Sequence, residues 1–283
     1  MAKVKNHKID GAKNSIIDTS GTLSNPKYLV CHFTGGSTVQ SSLDTLKAKG
    51  TSYHVLIDRD GTIHQVAPFN VRAAHAGVSN WKGIDGLNEH SIGISLANYG
   101  GYLKPLPGKV WRAPGGEELP ESRVLVAEHH IGLTQKIAWE RFPPAQIAAA
   151  IDVIKAVLAA YPSIKDAMGH DEVAMGRRED PGPSFPWADV HALFAARTDF
   201  GPVVTVQSPD GSASLRKGRS SSSPELAKLP NGTRLHARSV NYTYVTNAKG
   251  EKVPVKHNWV SVARHNTMAH AGFVARGLLT PQP

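Results

Sequence analysis

His32, His170 and Asp180 lie far apart in the chain, and all three are residue types that bind metal ions. Two imidazoles and one carboxylate leave a fourth tetrahedral position for water, the arrangement of a catalytic zinc site. A metal held there lowers the pKa of water towards neutrality and polarises a carbonyl. Spacing by itself does not select this trio. The chain has 14 histidines, and a lone histidine is more often a surface or satisfied core residue. The single cysteine, Cys31, excludes an internal disulfide and a multi-cysteine zinc cluster, so metal chemistry must run on His, Asp and Glu.

The elements that must carry these residues are legible in outline. Residues 27–33 read as a buried strand ending at the breaker Thr34-Gly-Gly36, which sets His32 where rigid backbone meets a Gly-rich loop. Residues 40–49 read as a helix closed by Gly50. Residues 52–58 and 62–66 flank an Asp-Gly pair, a hairpin signal, and residues 90–97 are a further strand. Residues 100–122 read as a long irregular loop. Residues 144–160 are the clearest helix, with Pro144 in its first turn and Ile147, Ile151, Ile154 and Leu158 recurring at three and four residues. His170 and Asp180 bracket the loop that follows. Helices alternating with a hairpin sheet indicate an α/β layered domain.

At 283 residues the length suits one medium domain and one small one. Hydrophobic residues make up 40% and charged residues 19%, an ordinary globular balance. Charge is unevenly spread: residues 200–283 carry 11 Lys/Arg against 3 Asp/Glu, whereas residues 1–199 net only +1. A basic tail meets nucleic acid, anionic lipid or an anionic bacterial surface, and charge alone does not choose among them. The basic start is followed by no apolar stretch, and no later stretch is long enough to span a bilayer. The expectation is therefore cytoplasmic synthesis without a secretory signal and no membrane insertion.

Five stretches, in order over about 160 residues, resemble the amidase-2 family of phage lysozymes, wall-recycling amidases and peptidoglycan recognition proteins. They are Leu29-Val-Cys-His-Phe33, Tyr53 through Gly61, Ala74-His-Ala-Gly-Val-Ser-Asn-Trp81, Asn88 through Ile94, and Gly169-His-Asp running to Asp180-Pro-Gly-Pro183. The last is the most specific. The resemblance implies an N-acetylmuramoyl-L-alanine amidase in which His32, His170 and Asp180 hold Zn2+. Arg178 falls where recycling-type members carry an oxyanion-stabilising lysine, and a permanently charged guanidinium supplies the same field with different geometry. Tyr53 matches an active-site tyrosine. His75, Asn80 and Trp81 fall in a loop that borders the substrate groove in relatives, with Trp81 equally suited to anchoring that loop. Ser95 stands where many members have a catalytic glutamate, and an unactivated serine is no general base at neutral pH. Glu172 is the second candidate for that role, with a turn cap or solvent exposure as its simpler reading.

Simpler readings hold for three other residues. Cys31, adjacent to His32 on a strand, points to the opposite face and packs in the core. His54 packs or bonds within the sheet, and the His129-His130 pair lies at the surface.

Residues 203–279 resemble a bacterial SH3-like domain through Ala213 to Thr233, Trp259 to Val262 and Gly272 to Leu278, with residues 241–257 as an insertion. Such modules attach wall hydrolases to peptidoglycan. Nucleic-acid binding fits poorly because aromatics are sparse and no stacking platform is visible. The combined expectation is a mixed central sheet flanked by helices (1–199) with a small SH3-like β-barrel (200–283). Its partners are peptidoglycan or muropeptides, and it acts as a phage-type lysin released through a holin or secretion route. A non-catalytic wall-binding protein and a cytoplasmic recycling amidase are the alternatives.

Overall fold

The computed structural model describes residues 1–17, 21–129, 133–194, 202–247, 249–264 and 270–281. Six strands make one mixed sheet, in the spatial order Asp166–Gly169, Tyr28–Phe33, Ser91–Leu96, Val55–Ile57, Ile63–Gln65, Lys13–Asn14. The first four run parallel. The turn at Asp58–Gly61 then reverses the chain into the antiparallel Ile63–Gln65 strand. Tyr28–Phe33 and Ser91–Leu96 are buried at every position, as central parallel strands covered on both faces must be.

Period-two alternation divides the work of these strands. Leu29, Cys31, Phe33, Ile92, Ile94 and Leu96 enter the main core. Tyr28 and Val30 join a smaller cluster on the opposite side, the side to which His32 also belongs. Cys31 and His32 therefore face opposite ways, and burial pushes the Cys31 thiol well above its ordinary range.

The Pro144–Ala160 helix covers the main core. Pro144 sits in its first turn, where its missing N–H costs nothing. The buried stripe runs through Gln146, Ala150, Val153, Ile154 and Val157, whereas Ile147 and Ile151 are only half-buried. Ile154 and Leu158 of the expected stripe are buried and Ile147 and Ile151 flank it, so the stripe is broadened on one side by Gln146, Ala150, Val153 and Val157. Gln146 ties the helix to the sheet by donating through Nε2 to the carbonyls of Ile57 (2.9 Å) and Ala97 (3.0 Å). The Val39–Lys49 helix begins at Thr38, whose side chain accepts from the Ser41 N–H. It ends at Gly50 with φ 61°, a left-handed C-cap that glycine adopts without strain.

Two features depart from the sequence reading. Residues 100–122 contain a three-stranded sheet, Lys104–Leu106, Val110–Arg112 and Glu118–Pro120, whose Trp111 and Leu119 pack with Tyr99, Val124 and Ala138 near the buried Glu140. Glu140 accepts from Arg59, Arg123 and the Tyr99 N–H. Arg59 in turn reaches the Ser37 carbonyl, tying down the loop after His32. The second departure is the hairpin Val124–His129 with Leu133–Glu140. It lays His129 inside, 3% exposed and not at the surface as expected, because its ring packs on Trp139 and donates to the Glu179 carbonyl (2.9 Å). His130 lies outside the described residues.

Residues 203–281 form a seven-stranded sheet with its own apolar cluster of Val204, Val206, Leu215, Leu235, Val262 and Val274. The 241–257 insertion is the outer part of a long hairpin, Arg234–Thr246 with Lys252–Arg264. This sheet packs on the first unit through Met175, Phe273 and Trp259. Its cations pair with carboxylates of the first unit: Arg238 with Glu172 at 2.9 Å, Lys256 with Asp85 at 2.9 Å, and Lys217 with Glu128. Part of the basic excess is therefore neutralised inside the molecule. No helix among the described residues is long and apolar enough to cross a membrane.

His54 shows how polar groups are locked beneath the sheet. Its Nδ1 accepts from the Gly93 N–H and its Nε2–H donates to the Val71 carbonyl, both at 2.9 Å. Burial lowers its pKa from 6.5 to about 4. The folded ring stays neutral while the unfolded one takes a proton below pH 6.5. Its contribution is therefore complete above pH 6.5 and is lost as pH falls towards 4, at roughly 1 kcal/mol per pH unit. His54→Gln should destabilise at pH 7.5 by about 1–3 kcal/mol and show a shallower acid decline in urea midpoints than wild type. Parallel declines would remove His54 from the acid response.

Candidate metal site and cleft

The sheet brings the fully buried His32 next to His170 and Asp180, which line a cleft of about 730 Å³ whose walls also include Thr34–Gly36, Ser41, Lys49, Tyr53, His75, Tyr102, Arg177, Arg178, Glu179 and Arg219. Parallel pairing of Asp166–Gly169 beside Tyr28–Phe33 delivers His170, the first residue of a short helix, next to His32. The chain then loops back so that the Asp171 N–H donates to the Asp180 carbonyl (2.7 Å), while Asp171 Oδ2 accepts from the Gly182 N–H (3.3 Å). These bonds place Asp180 over the two imidazoles.

His32 Nδ1, His170 Nδ1 and Asp180 Oδ2 all lie within 4.8 Å of one another, and all three residues are buried. The carboxylate oxygen is 2.8 Å from His32 Nδ1 and 3.1 Å from His170 Nδ1, and the two nitrogens are 3.1 Å apart. The outer nitrogens are already committed. His170 Nε2–H donates to the Ala76 carbonyl (3.1 Å), and His32 Nε2 and His75 Nδ1 share a hydrogen bond at 3.1 Å. Both inner nitrogens thus face one carboxylate oxygen, where a bound cation would take the place of the protons shared between them. The spacing is a few tenths of an ångström tighter than the roughly 3.3 Å edge of a tetrahedral zinc site. Two imidazoles and a carboxylate converging beside an open cleft suit a divalent cation.

The electrostatics agree. Burial lowers the His32 pKa to about 4, with the Asp180 hydrogen bond opposing. Desolvation alone would raise the Asp180 pKa, but the two imidazoles outweigh it and hold the carboxyl well below its usual range. Burial pushes the Tyr53 phenol up, helped by the Asp180 charge, so Tyr53 remains a proton donor. The Tyr53 and His32 ring centroids are 4.9 Å apart. Ser95 sits opposite His32 in the strand register, fully buried, with its hydroxyl beside the Tyr53 phenol.

His75 lies beside the metal ligands. Its ring rests on Gly93, where an added Cβ would come 2.6 Å from His75 Cγ, and its Nε2 faces the Ser91 carbonyl at 3.4 Å. Asn80 and Trp81 do not reach the cleft. Trp81 is fully buried among Tyr28, Val30, Leu87 and Met168, donates to Asp166 Oδ2 (3.2 Å), and has the Arg238 guanidinium 4.8 Å from its ring. Asn80 is tied to Asp85 at 2.7 Å. The loop turns inward there because an indole gains more from burial than from lining an open groove. Glu172 is also withdrawn: it accepts from the Gly169 N–H (3.0 Å) and pairs with Arg238. The sequence reading missed Glu179, Arg177, Tyr102 and Arg219 on the cleft walls. Only Glu179 and Arg177 carried any signal, as neighbours of the ligand loop.

Fold and site together define a mixed α/β protein with a buried two-histidine, one-carboxylate cluster open to a cleft. The chain belongs to the Amidase_2 family, described as N-acetylmuramoyl-L-alanine amidase, whose model matches residues 22–183. It is 35% identical over 145 residues to the 1,6-anhydro-N-acetylmuramyl-L-alanine amidase AmpD of Salmonella typhimurium, covering 51% of this chain and 57% of that one. It is 34% identical over 170 residues to the N-acetylmuramoyl-L-alanine amidase AmiD of Escherichia coli, covering 57% and 50%. The chain thus spans about half the length of these curated relatives. A solved complex of Escherichia coli AmiD with anhydro-N-acetylmuramic acid-L-Ala-D-gamma-Glu-L-Lys is similar at 28% identity and TM-score 0.45, covering 68% of this chain and 65% of that one.

Zinc at about a hundredfold excess over its Kd should add about 2.7 kcal/mol, seen as a rise of several degrees in Tm. His32→Ala and Asp180→Ala should lose that rise. Gly93→Ala should cost about 1–3 kcal/mol by overpacking. By displacing His75 it should also weaken zinc roughly 10- to 100-fold in chelator competition. Unchanged affinity in Gly93→Ala would separate His75 from the site.

Proposed function

We propose that the chain hydrolyses the amide bond between the lactyl carbonyl of N-acetylmuramic acid and L-alanine in peptidoglycan. The observation that carries this reading is the convergence of His32, His170 and Asp180, the last two lining an open cleft, within the segment that matches the amidase family. Zinc is the proposed ion, and when bound it would polarise the scissile carbonyl and lower the pKa of water.

The chain's own residues do the rest. Asp180 stays ionised and His32 stays neutral at physiological pH, the states in which both bind a cation. His75 braces His32 through their hydrogen bond and, lining the cleft, is also placed for the substrate contact expected of it. Arg178, whose charge acts on His32 and Tyr53, stabilises negative charge on the carbonyl oxygen as that carbon becomes tetrahedral. Tyr53, held protonated, donates a hydrogen bond towards the reacting atoms, with the Ser95 hydroxyl behind it. The L-alanine amine leaves once protonated. Residues 203–281, an all-β unit with basic composition, serve in this reading as an SH3-like wall-binding module of a phage-type lysin. The relatives named as 1,6-anhydro-muramyl amidases support a second reading, in which the substrate is a soluble anhydro-muropeptide.

Mass spectrometry of intact peptidoglycan and of anhydro-muropeptides digested in parallel decides between them. Stem peptides beginning at L-alanine should appear, vanish with chelator and return with zinc. Release from wall favours the lysin, and release only from anhydro-muropeptides favours recycling. No release from either, with the protein still pelleting on wall, would make it a binding protein. Arg178→Ala should lower kcat about 100-fold or more, with zinc affinity retained.

A further inference from the structure

The cleft is not built from the family segment alone. Arg219 lies beyond residue 183, where the family match ends, yet it lines the cleft with Arg177, Arg178, Glu179 and Asp180. The strand Ser212–Arg216 carries a register shift between Leu215 and Arg216, which bends the chain out of the sheet. The following turn is closed twice, by Lys217 N–H donating to the Pro224 carbonyl (2.9 Å) and by Arg216 Nη1 donating to the Ser223 carbonyl (2.8 Å). Lys217 Nζ then pairs with Glu128 on the hairpin. The next residue of that hairpin, His129, holds the Glu179 carbonyl on the cleft wall. Arg219 is thus presented by an anchored turn.

The Arg219 guanidinium has no hydrogen-bond or ion-pair partner among the described residues, and burial pushes its pKa down with only the Glu179 charge opposing. A partly desolvated, unpaired guanidinium costs free energy that a ligand anion recovers. Arg178, on the same wall, likewise has no side-chain hydrogen bond among the described residues. With Lys49 and Arg177 the walls hold four cationic side chains against the carboxylates of Glu179 and Asp180.

We propose that Arg219 binds a free carboxylate of the peptide stem, so that the C-terminal unit forms part of the substrate site. The identity of the ligand rests on the amidase reading. In a muramyl peptide the lactyl carboxyl is consumed in the amide, so the free carboxylates belong to the stem. The planar fork of arginine matches a carboxylate in two parallel hydrogen bonds.

The test is calorimetric binding of the zinc-loaded protein to the uncleavable product L-Ala-D-gamma-Glu-L-Lys and to its fully amidated form. Wild type should bind the acid form at least about tenfold more tightly than the amide. Arg219→Ala should bring that ratio close to one, and Arg219→Lys should retain part of it. Should Arg219→Ala fail to fold, a several-fold fall in the ratio for Arg219→Lys supports the assignment and an unchanged ratio overturns it. Equal binding of acid and amide by wild type, no binding of either, or an unaltered ratio in Arg219→Ala also overturns it. Cleavage of muramyl peptide by wild type is scored separately. Cleavage without Arg219 dependence removes only the present inference, and Arg219-dependent peptide binding without cleavage removes only the amidase reading.

Discussion

Two imidazole nitrogens and a carboxylate oxygen, each about 3 Å from the others at the edge of a cleft, form an arrangement that needs positive charge, from protons or a cation, to hold together. The rest of the structure around it reads as the means of holding that arrangement. Parallel pairing of two strands sets the two histidines side by side. The Ala76 carbonyl and His75 occupy the outward nitrogens, and Asp171 closes the loop that carries the carboxylate. Burial keeps His32 neutral, while the imidazoles keep Asp180 ionised. Each device acts on protonation state as well as on position, which is what a cation site requires before any cation arrives.

Much of this was legible in the chain. The strand carrying His32 declares itself by a run of β-formers stopped by glycines. The loop from Gly169 to Pro183 declares itself through its resemblance to a family. Strand alternation alone separates Cys31 from His32, and the structure shows them on opposite faces. The parts that stayed hidden depend on contacts across long stretches of sequence. Trp81 and Asn80 sit in a loop whose pattern suits a groove, yet Trp81 finds Asp166 and Arg238, partners 85 and 157 positions away, and turns inward. His129 looked like a surface residue because nothing nearby in sequence announces Trp139 or Glu179 as its neighbours. The isoleucine spacing of the long helix pointed to one stripe. The structure buries Ile154 and Leu158 from it and adds Gln146, Ala150, Val153 and Val157 beside them.

The charge asymmetry carried a different lesson. Read as composition, a basic tail suggests an external anion. In the structure several of those cations are used at home, on Glu172, Asp85 and Glu128. Net charge described the supply of positive side chains, and the fold decided how many remained for a partner.

The Arg238–Glu172 pair has a consequence for how such a chain can be recombined. Glu172 also caps the backbone beside His170, and Arg238 also covers the Trp81 ring, so the junction between the units is wired into the ligand loop. Exchanging residues 203–281 for a different C-terminal unit would strand a buried carboxylate one residue from Asp171 and uncover an indole. Modularity in this architecture ends at the joint. A chimaera would have to inherit the arginine, or bring its own replacement, to keep the first unit intact.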